Sequence, residues 1–207
     1  MAEMPMRPAG GGPGDRRSWY DAEDILEAIS VKPGTVCADL GCGSGEFTFL
    51  MAHRVGKDGK VYAVDSSVAA LDQLKIKKPG VNIVTLRADL SDTHLAAASC
   101  DLVLAAFTLS GASDAGGVLA EAARLLKPDG RLAVVEWRPV PPPPGPPIER
   151  RIRSDRMQRL VENHGFVAPQ RLREGAVFYT LLSQKAKPVV KPGRATAPRV
   201  AVRPPGR

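Results

Sequence analysis

The chain has 207 residues and a hydrophobic fraction of 43%, enough for one domain with a full core and too short for two comfortable ones. No apolar run approaches the roughly 18–20 residues of a membrane span, and the opening MAEMPMRPAGGGPGDRR lacks the apolar stretch of a secretory signal. The formal net charge is +7, but the last segment, QKAKPVVKPGRATAPRVAVRPPGR, holds seven Lys/Arg and no acid, leaving 22 bases against 22 acids in the rest.

The basic character therefore belongs to the tail, 185–207, which has too little apolar surface to fold and reads as a basic disordered extension. Its functional alternative is a weak grip on RNA or an acidic membrane surface. Residues 1–20 read as a flexible leader. Cys37, Cys42 and Cys100 form no CxxC pair, so neither a disulfide framework nor a zinc site is expected. Reduced thiols fit a cytoplasmic protein.

The body, 21–184, alternates strand and helix patterns. DAEDILEAIS (21–30) places Ile25, Leu26 and Ile29 on one helical face, and KPG ends it. TVCADL is a short buried strand. SGEFTFLMAHRV is a helix, and KDGK turns into the second strand, VYAVD. SVAALDQLKI is a helix and VNIVTLRAD a third strand. CDLVLAAF gives a fourth strand, GGVLAEAARLLK a helix closed by PDG, and RLAVVEW (131–137) a fifth strand. Such alternation implies parallel pairing through right-handed crossovers. The proline run at 138–150 is excluded from helix and inner strand and reads as a stiff connector. SDRMQRLVENHGF is an amphipathic helix with Ser154 as the expected N-cap. QRLRE and VFYTLLSQ are two strand pieces joined at Gly175.

The chemistry concentrates at DLGCGSG, between the first strand and its helix. Open α/β sheets bind ligands at this edge. A phosphate-binding P-loop needs GxxxxGK[ST], which is absent, and GxGxxG fails at Glu46. What stands is Asp39 followed by Gly41, Gly43 and Gly45. A carboxylate there repels a pyrophosphate and suits a cationic or hydrogen-bond-donating ligand. Asp65, ending the second strand, is placed to accept from ribose hydroxyls. Asp89, after the third, is placed to accept from an adenine amino group. An ammonium, a ribose and an adenine together describe S-adenosylmethionine (SAM).

These segments resemble a class I SAM-dependent methyltransferase, in the small UbiE-like, type 11 branch: VCADLGCGSG, VYAVD, LRADL, CDLVLAAFTLS and LKPDGRLAVVEW occur in order across 21–184. The resemblance implies an α/β, Rossmann-like doubly wound sheet of seven strands, mostly parallel with an antiparallel last strand. Carried over residue by residue, it places Asp39, Gly41, Cys42, Gly43 and Gly45 at the methionine side of SAM. Asp65 and Ser66 fall at the ribose and adenine, Asp89 and Leu90 at the adenine, and Phe107 with Thr108 where the methyl points. No metal is expected, and no fixed catalytic triad, because the sulfonium is already a good leaving group; the catalytic residues are left open. Tyr20, His94 and Asp114 are the acid/base candidates, with His94 read as a surface residue. Relatives often carry histidines or an acid after the fourth strand, where this chain has Ser110 and Gly111. A small-molecule acceptor, lipophilic or quinol-like, is the leading expectation. RNA methylation through the basic tail and SAM binding without turnover are the alternatives.

Overall fold

The computed structural model describes residues 19–77, 80–141 and 145–187. Asp21 caps the first helix, α1 (Ala22–Ala28), its carboxylate accepting from the N–H groups of Glu23 and Asp24. Strand β1 (Val36–Leu40) is buried along nearly its whole length and leads through the glycine loop into α2 (Glu46–Val55). β2 (Lys60–Asp65), α3 (Val68–Ile76), β3 (Ile83–Arg87), β4 (Cys100–Ala106) and α4 (Ala115–Leu125) continue the alternation. β5 (Leu126–Trp137) is followed by one 3-10 turn (Ile148–Arg150), α5 (Ser154–Asn163), β6 (Phe166–Glu174) and β7 (Phe178–Lys185).

The seven strands form one sheet in the order β3-β2-β1-β4-β5-β7-β6. β1 to β5 pair in parallel, and β7 runs antiparallel between β5 and β6. The expected doubly wound sheet with an antiparallel last strand is thus the observed one. Strand order reverses between β1 and β4, which opens a crevice at their carboxyl ends. One core layer packs α4 and α5 on the sheet through residues such as Leu119, Leu125, Met157 and Phe166. The other packs α1 and α2 through Ile25, Leu26, Ile29 and Met51.

Three local readings change. β5 begins at Leu126 rather than Arg131, because the KPDG turn is carried as a bulge: Cys100 pairs with Leu126 and Leu102 with Arg131. The N-cap of α5 is Arg153, extended at φ −63° and ψ 146°, and Ser154 is the first helical residue. There Asp155 supplies the negative charge of the first turn and takes up Arg153 at 3.1 Å. Tyr20, placed by its sequence in the leader, is 5% exposed and packed into the α1–α2 core. Residues 1–18 and most of the basic tail lie outside the described residues. Among the described residues no helix is long and apolar enough to cross a membrane.

Candidate active site

The loop after β1 is tied to its neighbours through the backbone. The N–H groups of Gly41 and Cys42 both donate to the Val64 carbonyl, at 2.8 and 3.0 Å. Gly41 sits at φ +79°, and a Cβ there would stand 2.4 Å from Thr108 Oγ1. Glycine is the residue that permits both the turn and the close approach of the β4 exit. Thr108 in turn donates to the Leu40 carbonyl at 3.0 Å, closing the contact across the switch point. The Gly43 N–H donates to Asp65 Oδ2 at 2.8 Å, and the Ser67 N–H donates to Oδ1 at 2.8 Å. Each carboxylate oxygen keeps acceptor capacity for a second donor.

A cavity of about 620 Å³ opens over these strand ends. Gly41, Asp65, Ser66, Asp89, Leu90 and Phe107 all line it, so six of the ten expected site residues come together on its wall. The other four, Asp39, Cys42, Gly43 and Gly45, lie in the strand and loop beneath it. Asp39 is 2% exposed and accepts from the Thr48 hydroxyl at 2.6 Å, so it braces α2 against β1. Cys42 packs with Leu71 and Leu74, and burial pushes its thiol far up. Gly43 supplies the N–H that holds Asp65. Gly45, at φ +88°, begins α2 where a side chain would collide with Phe49 and Leu74.

The wall also carries Asp114, whose carboxylate caps α4 by accepting from the Gly117 N–H at 2.8 Å. Asp89 accepts from the Ser91 N–H and hydroxyl, and these bonds hold its carboxyl below the usual range. Among the described residues the lining has three carboxylates, Asp65, Asp89 and Asp114, and neither Lys nor Arg. Such a cavity favours a cationic, donor-rich ligand and opposes a pyrophosphate. Its size suits a nucleoside-sized molecule, so the residues present fit SAM.

A family model described as "Methyltransferase domain", of type 11, matches residues 38–134. The chain is 34% identical over 125 residues to a nocamycin O-methyltransferase of Saccharothrix syringae, covering 59% of this chain and 44% of that one. It is 31% identical over 128 residues to a 2-phytyl-1,4-naphtoquinone methyltransferase of Trichormus variabilis, covering 60% and 55%. A SAM-dependent methyltransferase from Aquifex aeolicus superposes with a TM-score of 0.77 at 25% identity, over 84% of this chain and 94% of that one. Residues 38–134 match the methyltransferase domain, and the chain has the fold of a SAM-dependent methyltransferase. It spans about half the length of the curated relatives it matches.

Beyond this cavity, the chain carries an aromatic cluster at the ends of β4 and β5. Phe107 is stacked on Trp137 with centroids 4.3 Å apart and tilted against Tyr20 at 4.7 Å. Phe47 and Phe178 complete the group around Tyr20. Phe107 belongs to both the cluster and the cavity wall. It is held at φ +56°, a conformation a bulky residue rarely adopts. The Tyr20 hydroxyl donates to Glu46 Oε2 at 2.7 Å.

Sequence reasoning missed one residue here. Glu136 is fully buried, and its Oε1 accepts from the Ser110 N–H at 2.9 Å. Among the described residues its Oε2 has no hydrogen-bond partner, and burial pushes the carboxyl up. A lone acid inside the apolar run AVVEW was the available signal. No histidine reaches the cavity: His94 is exposed beside Asp92, and His164 Nδ1 lies 2.7 Å from the Leu160 carbonyl.

Proposed function

We propose that this chain methylates a small, lipophilic acceptor, with SAM as the donor. The observation that carries the reading is the cavity at the β1/β4 switch point, lined by Asp65, Asp89 and Asp114 and backed by a glycine that touches Thr108. Asp65 would accept from the ribose hydroxyls and Asp89 from the adenine amino group, while the loop from Gly41 to Gly45 would seat the methionine end. When bound, SAM supplies an electrophilic methyl on a sulfonium. The chain's own task is alignment and exclusion of water. Phe107 forms the wall facing the acceptor side, with Trp137 and Tyr20 behind it. That apolar side, and relatives whose names include a naphthoquinone methyltransferase, support a lipophilic small molecule.

The test is calorimetric titration with SAM, S-adenosylhomocysteine and NAD. The reading expects micromolar binding of both adenosyl ligands and none of NAD. Asp65→Ala removes a charged acceptor of two hydroxyls, and about 1.5–3 kcal/mol per lost charged hydrogen bond makes binding at least tenfold weaker. Failure of both adenosyl ligands to bind would sink the proposal.

A further inference from the structure

Helix α3 grips the glycine loop and Asp65 from both of its own ends. At its start Ser67 caps the helix by accepting from the Ala70 N–H, and the Ser67 N–H donates to Asp65 Oδ1 at 2.8 Å. At its end the Lys77 ammonium donates to the Ser44 carbonyl at 2.8 Å and stands 5.7 Å from the centroid of the Phe49 ring. Ser44 lies between Gly43 and Gly45. Gly43 gives its N–H to Asp65 Oδ2 at 2.8 Å, and a Cβ on Gly45 would stand 2.8 Å from Phe49 Cε2 and 2.9 Å from Leu74 Cγ. A chain of contacts thus runs from Lys77 through Ser44 and Gly43 to a carboxylate on the cavity wall. The packing under α3 is small. Cys42, Ala63, Leu71 and Leu74 form a cluster of their own, apart from the two larger cores. α3 buries Leu71 and Leu74 and leaves Val68 and Ile76 exposed. So little apolar area holds the helix weakly, and its polar ends count for more.

We propose that Lys77 is a positioning residue for the cofactor: it fixes the glycine loop from α3 and, through the loop, the Asp65 carboxylate. The inference rests on the SAM reading of the cavity. Lys77 lies outside the cavity lining, so it acts through the loop and not on the ligand. When the ammonium lets go, Ser44 is free to turn between left-handed glycines, Gly43 at φ +54° and Gly45 at φ +88°, and the Gly43 N–H drifts off Asp65. Ligand and Lys77 favour the same loop conformation. Cofactor binding therefore seats α3, and a seated α3 strengthens cofactor binding by the same factor.

Two variants separate the donor from its stem. Lys77→Met keeps an unbranched chain beside Phe49 and loses the donor, whereas Lys77→Arg keeps a charged donor. The probe is S-adenosylhomocysteine, titrated calorimetrically against the full chain. Lys77→Met should bind it about three- to tenfold more weakly, the loss of one charge-assisted hydrogen bond screened by water. The melting temperature without ligand should stay that of wild type. Lys77→Arg should recover most of the affinity. In wild type, saturation should slow hydrogen exchange of the Gly43 amide and of the α3 amides, and Lys77→Met should blunt that protection. The double variant with Asp65→Ala tests the route. If Lys77 acts through Asp65, adding Lys77→Met to Asp65→Ala should cost less than about twofold.

Three results would overturn the proposal. The first is Lys77→Met binding as tightly as wild type. The second is a joint fall of melting temperature and affinity that Lys77→Arg does not reverse, which is the mark of a purely structural role. The third is the same loss from Lys77→Met with and without the Asp65 carboxylate. A wild type that binds no S-adenosylhomocysteine removes the SAM reading itself, whereas binding by wild type with any of the three results removes the role of Lys77 alone.

Discussion

The two halves of the sheet are built on different plans. From β1 to β3 the chain makes a ligand site out of backbone and short side chains close in sequence. Gly41, Gly43, Asp65 and Asp89 sit at consecutive strand ends, and most of their bonds are to N–H groups a few residues or one strand away. Around the β4 exit, large side chains gather from afar behind the cavity wall: Tyr20, Glu46, Phe107, Trp137 and Phe178, with the buried Glu136 beside them. On the proposed reading, the first plan holds the cofactor. The second fixes a shape, and shape is what distinguishes one acceptor from another. Damage to the two halves should therefore read out differently, as lost ligand in one and lost fold in the other.

The largest effect falls in the second half. Trp137 is 1% exposed, stacks on Phe107 and packs under Gly145, where a Cβ would lie 2.7 Å from its Cδ1. Trp137→Ala empties a volume that the sheet and the proline connector cannot both close upon. A cost of about 3–5 kcal/mol is expected by denaturant unfolding. S-adenosylhomocysteine affinity of the folded fraction should change little, because Trp137 does not line the cavity. A large loss of affinity with unchanged stability would dissolve the division between the halves.

The first half should show the opposite profile. Gly41→Ala adds a Cβ at 2.4 Å from Thr108 Oγ1 in a left-handed turn, with about 1–3 kcal/mol of strain. Since Gly41 and Thr108 both border the cavity, the relief movement opens the floor of the site. Cofactor affinity should fall about a hundredfold or more while the chain still folds, a difference that calorimetry and thermal unfolding separate. Adding Thr108→Ala removes the atoms struck and should restore part of the affinity. No restoration would mean that backbone strain alone carries the loss.

The same division explains what the sequence disclosed. The alternation of elements, the glycine loop and the aspartates at 65 and 89 were readable because strand ends bring neighbours in sequence order to one edge. Even there, the loop pattern did not disclose that Asp39 accepts from the Thr48 hydroxyl and so ties β1 to α2. On the other side, the meeting of Tyr20 with Phe107 spans most of the first half of the chain, and no local pattern encodes it. Glu46 was visible only as the residue that spoils a glycine motif. The KPDG segment read as a break because Pro and Gly usually are, and pairing with β4 absorbed it as a bulge. The family resemblance singled out six residues that line the cavity, five of them at the ends of β1 to β3. It gave less at the β4 exit, where this chain puts Ser110.

The smallest effect is the most specific to the second half. Glu136 lies opposite Tyr179 in the β5–β7 ladder and under the loop that runs from Phe107 to Gly111. Burial pushes its carboxyl above the ordinary glutamate value, and the Ser110 and Leu109 N–H groups only partly oppose this. The Tyr179 hydroxyl gives its hydrogen to the Ile152 carbonyl at 2.7 Å and is itself pushed up by burial and by Glu136. In the unfolded chain Glu136 ionises near 4.5, whereas in the folded chain it stays protonated to higher pH. Between those two values the folded state binds the extra proton, so stability falls as pH rises, and it levels off once the folded carboxyl ionises. The acid limb has the opposite sign. Burial works against ionisation of Asp101 and Glu121, but Lys127 holds the first and Arg124 with Thr93 the second below their usual values. Their contribution is present above the ordinary carboxylate range and is lost as pH drops below it. Glu136→Gln keeps the carbonyl that accepts from Ser110 and removes the ionisation. Its melting temperature should therefore hold steady above pH 5, where wild type declines, while the two share the same acid limb. A parallel decline in both would mean that the buried carboxyl does not titrate there, and that the loop over it is held by packing alone.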